Sequence, residues 1–246
     1  MDSIIKFENV SKSYADRTFL TGGLKNYVLN AFSAGKFRRT HQVLRNLSFE
    51  IRRGTTVAFV GRNGVGKSTL LSLIAGIMPP DSGRISVRGR VSSLLELGAG
   101  FHPDLSGREN IELYGVVLGF SRAEIRRRID SIVSFAELDE QVETPIRFYS
   151  SGMLARLGFA VVSQLDPEIL LVDEVLAVGD FAFQAKCYEV IQKFRAAGGT
   201  IVLVSHAKKD IVDLCDEAFL IENHGIAAQG APEDILARYQ GAGVPT

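Results

Sequence analysis

The sequence predicts an α/β fold with a buried parallel sheet, a smaller antiparallel sheet and a helical subdomain. Four short apolar runs are typical of strands buried on both faces. They cover residues 57–60, 169–172, 201–204 and 218–221. Two further segments alternate apolar and polar residues, as antiparallel strands with one solvated face do. Their apolar positions are Ile5, Phe7, Val10, Leu47, Phe49 and Ile51.

The stretch between the first two buried runs is rich in helical patterns. Ile125, Ile129, Ile132 and Val133 fall on one helical face, whereas the three arginines at 126–128 point elsewhere. We therefore expect a helical subdomain at about 100–165 within a single domain that spans 1–246.

Residues 15–42 separate the two alternating strands and are long for a hairpin loop. Within this insertion the apolar side chains have the spacing of a short amphipathic helix, and basic residues follow them. The apolar residues are Leu24, Tyr27, Val28 and Phe32, and the basic residues are Lys36, Arg38 and Arg39. The insertion is either a surface helix packed on the core or an element that docks on a partner.

Composition limits the class of protein. The 246 residues are 46% hydrophobic and 23% charged, and 28 basic residues balance 28 acidic ones, so no net field attracts nucleic acid. Two cysteines, Cys187 and Cys215, are too few for a disulfide scaffold and favour a reducing cytoplasm. The acidic N-terminus does not fit a signal peptide, and no apolar run has the ~20 residues that cross a bilayer. A membrane role would therefore need a partner.

A glycine-rich segment lies directly between the first buried run and an apolar helical run. It consists of Gly61, Arg62, Asn63, Gly64, Val65, Gly66, Lys67, Ser68 and Thr69. Glycines let backbone N–H groups converge on phosphate oxygens, the lysine adds a positive charge and Ser68 can ligate Mg²⁺. The strand, loop and helix order predicts a P-loop NTPase core that binds a nucleoside triphosphate, and it disfavours a chance match in a turn.

Such a site also needs a carboxylate at the end of a buried strand beside the P-loop strand. Asp173 ends the run at 169–172 and would position Mg²⁺, and Glu174 would polarise the attacking water. His206 follows the next buried run, at the same sheet edge, where it could reach the γ-phosphate or be structural. The other histidines, His41, His102 and His224, are expected to be ordinary surface or loop residues.

With these motifs the chain resembles the ATP-binding subunits of ABC transporters, whose RecA-like core carries an antiparallel β subdomain and a helical subdomain. Their signature segment corresponds here to Tyr149, Ser150, Ser151, Gly152 and Met153. The segment departs from the family pattern at Tyr149, Ser151 and Met153. The resemblance implies a homodimer in which this segment caps the ATP of the opposite subunit. The alternative is a plain helix cap by Ser150 or Ser151.

Further positions carry roles that the resemblance implies. Tyr14 resembles the aromatic residue that stacks on adenine, although a tyrosine packing on the core from an edge strand is the alternative. Asp180 resembles the carboxylate of the dimer loop, and His206 the switch histidine. Glu96 stands in place of the usual glutamine, and an ionised carboxylate cannot donate a hydrogen bond as an amide does.

Three strings, at 94–110, 149–160 and 173–187, resemble the branch that exports O-antigen, capsule or teichoic acid. The chain is similar to the short form of this branch, without a C-terminal carbohydrate-binding domain. The resemblance implies ATP and Mg²⁺, two integral membrane permease subunits, a lipid-linked polysaccharide as cargo and a peripheral place at the cytoplasmic face of the inner membrane. Another cargo remains open, as does a soluble ABC ATPase, which the single P-loop and the lack of heptads disfavour.

Overall fold

The structure, a computed structural model, describes residues 2–15, 40–94, 98, 100–173, 179–205 and 207–241. Most of the insertion at 15–42 lies outside these residues, as do the predicted site residues Glu96, Glu174 and His206. In the described parts no helix is long and apolar enough to span a membrane.

Nine strands form two sheets in the described residues. They are β1 (Ser3–Ala15), β2 (Thr40–Arg52), β3 (Thr56–Val60), β4 (Ser82–Val87), β5 (Val91–Ser93), β6 (Ile169–Asp173), β7 (Thr200–Val204), β8 (Glu217–Glu222) and β9 (Gly225–Gly230). The antiparallel sheet has the order β2-β1-β4, and the larger sheet has the order β5-β6-β7-β3-β8-β9. Only β9 runs antiparallel to its neighbour in the larger sheet.

Eight α-helices complete the described fold. They are α1 (Lys67–Ile74), α2 (Gly107–Val117), α3 (Arg122–Arg126), α4 (Ile129–Ala136), α5 (Ser151–Gln164), α6 (Phe181–Ala196), α7 (Lys208–Leu214) and α8 (Pro232–Gly241). A short 3-10 helix, Ile146–Phe148, precedes α5.

The four buried runs form adjacent parallel strands, as the sequence predicts. Their residues alternate between two packing clusters: Ala58 and Val60 face the helical side, and Val57 and Phe59 face α1 and the antiparallel sheet. This two-sided burial explains why the runs are apolar throughout.

One prediction about this sheet is wrong. The strand that carries Asp173 does not lie beside the P-loop strand, because β7 pairs with both β6 and β3 and separates them. Parallel strands are joined by crossover connections, and local residue patterns do not predict the order in which these connections place the strands in the sheet.

The helical region contains a break between two helices at a place where the apolar periodicity of the sequence is continuous. The apolar residues Ile125, Ile129, Ile132 and Val133 are all buried, but α3 ends before Arg127 and α4 begins only at Ile129. Side chains of this region share one buried cluster with the parallel sheet, so the two pack against each other directly.

Strands β1 and β2 lead directly to the two ends of the insertion. Their antiparallel ladder continues to a final pair, Ala15 with Thr40, just after the pair of Tyr14 with His41. The insertion is therefore the connection of a long β-hairpin, and Ala15 and Thr40, which flank its undescribed residues 16–39, are paired.

Candidate nucleotide-binding site

The glycine-rich segment forms the turn from β3 into α1, as predicted. Gly64 and Gly66 have positive φ angles of 78° and 107°, a region that favours glycine. A Cβ on Gly66 would lie 2.8 Å from side-chain atoms of Val43 and Leu44. This close contact packs the loop against β2 and fixes its position.

Lys67 is the first residue of α1, and its side chain folds back over the loop. The residue is buried, and its Nζ donates to the carbonyl oxygens of Gly61 (2.7 Å) and Arg62 (3.1 Å). The ammonium group is thus held at the loop on which phosphates are expected to bind, so the structure places the charge where the motif requires it.

Ser68 and Asp173 come together although their strands are not neighbours. The Ser68 Oγ lies 3.4 Å from Asp173 Oδ2, because the loop after β3 passes over the carboxyl edge of the sheet, where β6 ends. A hydroxyl and a carboxylate are oxygen ligands of the kind that Mg²⁺ prefers. The pair therefore fits the predicted metal site.

A cleft of about 540 Å³ opens over the loop. Its wall consists of His41, Val43, Asn63, Gly64, Gly66, Lys67, Ser68, Thr69, Asp173 and Val204. His41, expected to be an ordinary surface or loop residue, lies instead on β2 and reaches the cleft, as does Val43, which was not predicted as a site residue. The adjacent residues Val43 and Leu44 are both buried, at an irregularity in the β1–β2 ladder, and both would contact a Cβ on Gly66. Alternation alone therefore does not predict that this part of β2 meets the loop.

Tyr14 lies beside the cleft on β1. Its side chain is exposed, and its hydroxyl lies 3.3 Å from both Thr69 Oγ1 and Met78 Sδ. These contacts hold Tyr14 next to α1, which agrees with a place near a bound nucleotide. Its stacking on adenine stays a prediction.

The segment of residues 149–153 marks the start of α5. Ser150 is the helix cap, because its Oγ accepts a hydrogen bond from the Met153 N–H at 3.2 Å. The side chain of Tyr149 is buried, its hydroxyl donates to the Gln141 carbonyl at 2.7 Å, and burial raises the pKa of its phenol. Any contact of Tyr149 with a partner's nucleotide would therefore come from its backbone, whereas Ser151 is exposed.

Asp180 links the start of α6 to α5. One of its oxygens caps α6 by accepting from the Phe183 N–H at 3.0 Å. The other lies 3.4 Å from Arg156 of α5, and the same guanidinium pairs with Glu137 at 3.1 Å. Arg156 thus ties α5 to both Asp180 and the residue that follows α4.

Comparison with known proteins agrees with this arrangement. The profile of the ABC transporter family matches residues 44–177. The chain is 46% identical to the O-antigen export system ATP-binding protein RfbB of Klebsiella pneumoniae, over 98% of this chain and 99% of that protein. It is also 36% identical to the teichoic acids export ATP-binding protein TagH of Bacillus cereus, over 98% of this chain and 43% of that protein.

A solved structure shares the fold. A dimeric ATP-binding cassette, in a post-hydrolysis state with ADP and Pi bound, matches with a TM-score of 0.69 at 21% identity, over 93% of this chain and 98% of that one. The predicted fold class, a P-loop core with an antiparallel sheet and a helical region, is confirmed.

Proposed function

Because the chain belongs to the ABC transporter family, we propose that it is the ATP-hydrolysing subunit of an exporter that moves a lipid-linked polysaccharide across the cytoplasmic membrane. The observation that carries the cargo class is the 46% identity to an O-antigen export ATP-binding protein along nearly the whole of both chains. The teichoic acids export relative supports the same branch, since both relatives are named as ATP-binding proteins for export, one of O-antigen and the other of teichoic acids.

The cleft over the P-loop is the ATP site of this proposal. Lys67 would exchange its carbonyl partners for the β- and γ-phosphates, and the loop N–H groups would bind the remaining phosphate oxygens. Ser68 and Asp173 would hold Mg²⁺, which neutralises phosphate charge when it is bound. Glu174 is proposed to polarise the attacking water and His206 to contact the γ-phosphate, and both lie outside the described residues.

Two copies of the chain would complete the active site. The exposed start of α5 offers backbone N–H groups at a helix N-terminus, which is suited to capping the γ-phosphate of the opposite subunit. The dimer of the solved relative with ADP and Pi supports this assembly. Asp180 would lie in the dimer loop, where Arg156 holds it relative to the capping helix.

Two permease subunits would supply the membrane-spanning path, with this subunit peripheral at the cytoplasmic face of the inner membrane. The helical region has apolar side chains that remain exposed, among them Leu113, Val116 and Val117 on α2. These side chains and the insertion at 15–42 are not needed to hold nucleotide, so they are available to pass a conformational change to the permease.

The test is an export assay in a strain that lacks the gene. Lipid-linked glycan is extracted, and full-length polymer is assigned to the cytoplasmic or the outer side of the membrane. We expect trapped polymer in the deletion strain, restored to the surface by the wild type and by the control Lys193→Ala, which changes an exposed lysine on α6. Lys67→Ala should not restore it. Normal surface glycan with no internal pool would contradict the proposed cargo.

A further inference from the structure

A second cavity, of about 440 Å³, lies between the parallel sheet and the helical region. Residues just before β5 and β6 form one side of its wall, and residues before and at the end of α3 form the other. Arg90 marks the amino end of β6, because its carbonyl oxygen accepts from the N–H groups of Glu168 and Ile169 at 3.0 Å. Asp173 ends the same strand at the nucleotide cleft. Among the described residues the two cavities share no wall residue, so this one is a separate place in the fold.

The wall of this cavity carries more positive than negative charge. It contains three arginines and two carboxylates, and each carboxylate already has an arginine partner. Arg90 donates to Glu124 at 2.9 Å, and Arg128 donates to Asp166 at 2.5 Å. Arg127, by contrast, is exposed, and its guanidinium has no hydrogen-bond or ion-pair partner in the part of the chain that the structure describes. One positive charge is thus left for a ligand.

The other polar groups of the wall are held in place by their own contacts. The Arg90 guanidinium lies over the Phe120 ring, 4.5 Å from its centroid, and Arg128 also donates to the Gln164 carbonyl oxygen at 2.5 Å. Small-molecule sites are mostly preformed cavities of about 300–1,000 Å³ in which a few placed polar groups orient the ligand. This cavity has such a size, and its paired arginines are fixed before any ligand binds.

The arginines favour a phosphate group. A guanidinium binds a phosphate through two parallel N–H donors, which suits the unpaired side chain of Arg127. A guanidinium has five N–H donors in all, so Arg90 and Arg128 keep donors beyond those that their carboxylate partners use. A phosphate monoester has three terminal oxygens to accept from several arginines, whereas a carboxylate has two.

The carboxylates define the rest of the ligand. An ionised carboxylate only accepts hydrogen bonds, and it has about four lone-pair sites. Glu124 and Asp166 therefore keep acceptor sites beyond those that their arginines occupy. Hydroxyl groups are the neutral donors that such sites suit. The cavity thus fits a small molecule that carries hydroxyl groups next to a phosphate.

We propose that this cavity is a binding site for a sugar phosphate, and that Arg127 is the residue that binds the phosphate group. The ligand would contact both sides of the wall, since Arg90 directly precedes β5 and Arg127 directly follows α3. This site is independent of the ATP site proposed above, and the failure of either proposal leaves the other intact.

The experiment measures the binding of glucose 6-phosphate, inorganic phosphate and glucose by calorimetric titration. The proteins are the wild type, Arg127→Ala, Arg127→Lys, Arg122→Ala and Lys67→Ala. Arg122→Ala is the matched control, because it removes the same charge from an exposed arginine of α3 that is not part of the cavity wall. Lys67→Ala reports any binding of the phosphate group at the P-loop instead. Thermal unfolding checks that each variant is folded.

We expect Arg127→Ala to weaken the binding of glucose 6-phosphate at least about tenfold, the loss expected for a hydrogen bond to a charged group. Arg127→Lys keeps the charge without the paired donors, so it should recover part of the affinity. Arg122→Ala and Lys67→Ala should bind glucose 6-phosphate like the wild type. Inorganic phosphate and glucose should each bind more weakly than glucose 6-phosphate.

Four results would overturn the inference. They are a wild type that does not bind glucose 6-phosphate, unchanged affinity in Arg127→Ala, an equal loss in Arg122→Ala, and a loss that follows Lys67→Ala in place of Arg127→Ala. Equal affinity of the wild type for inorganic phosphate and glucose 6-phosphate would contradict the assignment of a sugar phosphate as the ligand.

Discussion

Gly66 shows how a single backbone position determines the shape of the cleft. It combines a φ of 107° with a contact to β2 that leaves no room for a side chain. Gly64, two residues earlier, has a φ of 78°, but a Cβ there would meet nothing within 4 Å. A comparison of the two positions therefore distinguishes the effect of backbone strain alone from the effect of backbone strain combined with steric overlap.

Alanine at these positions should have unequal effects. Gly64→Ala should lower the free energy of unfolding by about 1 kcal/mol, the strain of a left-handed alanine. Gly66→Ala adds overlap with Val43 and Leu44, so we expect a total loss of about 3 kcal/mol and much weaker ATP binding. Urea unfolding and ATP titration measure both effects. Equal losses for the two variants would show that the contact with β2 does not matter.

The residues of the P-loop and Asp173 can be predicted as site residues from the sequence, whereas His41 cannot. The loop residues follow one another in the chain, so their spacing alone indicates phosphate binding. His41 gains its place only because β2 packs on Gly66, and no pattern near residue 41 records that contact. Residues that reach a site only through tertiary packing can be identified only from the structure.

Helix α3 is short, and its first turn is held by a reciprocal cap. The Ser121 N–H donates to Glu124 at 2.8 Å, the Glu124 N–H donates to Ser121 Oγ, and Arg90 donates to the same carboxylate at 2.9 Å. The hydrogen bonds from Ser121, followed by that from Arg90, lower the pKa of Glu124 from 4.5 to about 2. The folded chain thus prefers the ionised carboxylate.

Stability should therefore depend on Glu124 in a defined pH range. Because the folded pKa lies below the unfolded one, the contribution is complete above pH 4.5 and disappears as pH falls toward 2. We expect Glu124→Gln to lower the melting temperature at pH 7, and the difference from wild type to shrink steadily below pH 4.5. Circular dichroism melts across this range, with the exposed Glu140→Gln as control, test this. A pH-independent difference would contradict the assignment.

Elements with a strong pattern were predicted well, and weakly patterned ones were not. The four runs of the parallel sheet are apolar at every position because both of their faces are buried. By contrast, the half-exposed strands β4 and β9 lack such a run, and the break between α3 and α4 leaves the apolar periodicity intact. Periodicity thus predicts which residues are buried more reliably than it predicts where a helix or strand ends.

At the scale of the whole molecule, the active site is proposed to require two chains. Glu174→Gln should bind ATP but hydrolyse it very slowly, since an amide cannot act as a base, and so it should accumulate as an ATP-bound dimer. Light scattering after gel filtration, with and without ATP, measures the mass. The double variant Lys67→Ala, Glu174→Gln should stay monomeric. A Glu174→Gln protein that remains monomeric in ATP would contradict the shared site.

The insertion offers a second test at this scale. Ala15 and Thr40 are paired across the ladder, so residues 16–39 can be replaced by a two-residue Asn-Gly turn that keeps the strand pairing. We expect this variant to bind and hydrolyse ATP like the wild type but to fail in polysaccharide export. Export at the wild-type level would show that the insertion does not dock on the permease.

The order of the strands in the larger sheet was the hardest feature of the fold to predict. The four buried strands of the larger sheet were predicted, but the position of β7 between β3 and β6 was not. Ser68 and Asp173 nevertheless meet as expected, because both lie at the carboxyl edge of one parallel sheet, where loops from separate strands converge. That convergence follows from the fold class and does not depend on strand order.

The most direct test of the nucleotide site is calorimetric titration of ATP, in Mg²⁺, into the wild type and Lys67→Ala. The wild type should bind one ATP per chain. Removal of the buried ammonium should weaken binding at least about tenfold, the loss expected for a hydrogen bond to a charged group, while Lys193→Ala should bind normally. Equal affinity of Lys67→Ala and the wild type would contradict the assignment of this cleft as the ATP site.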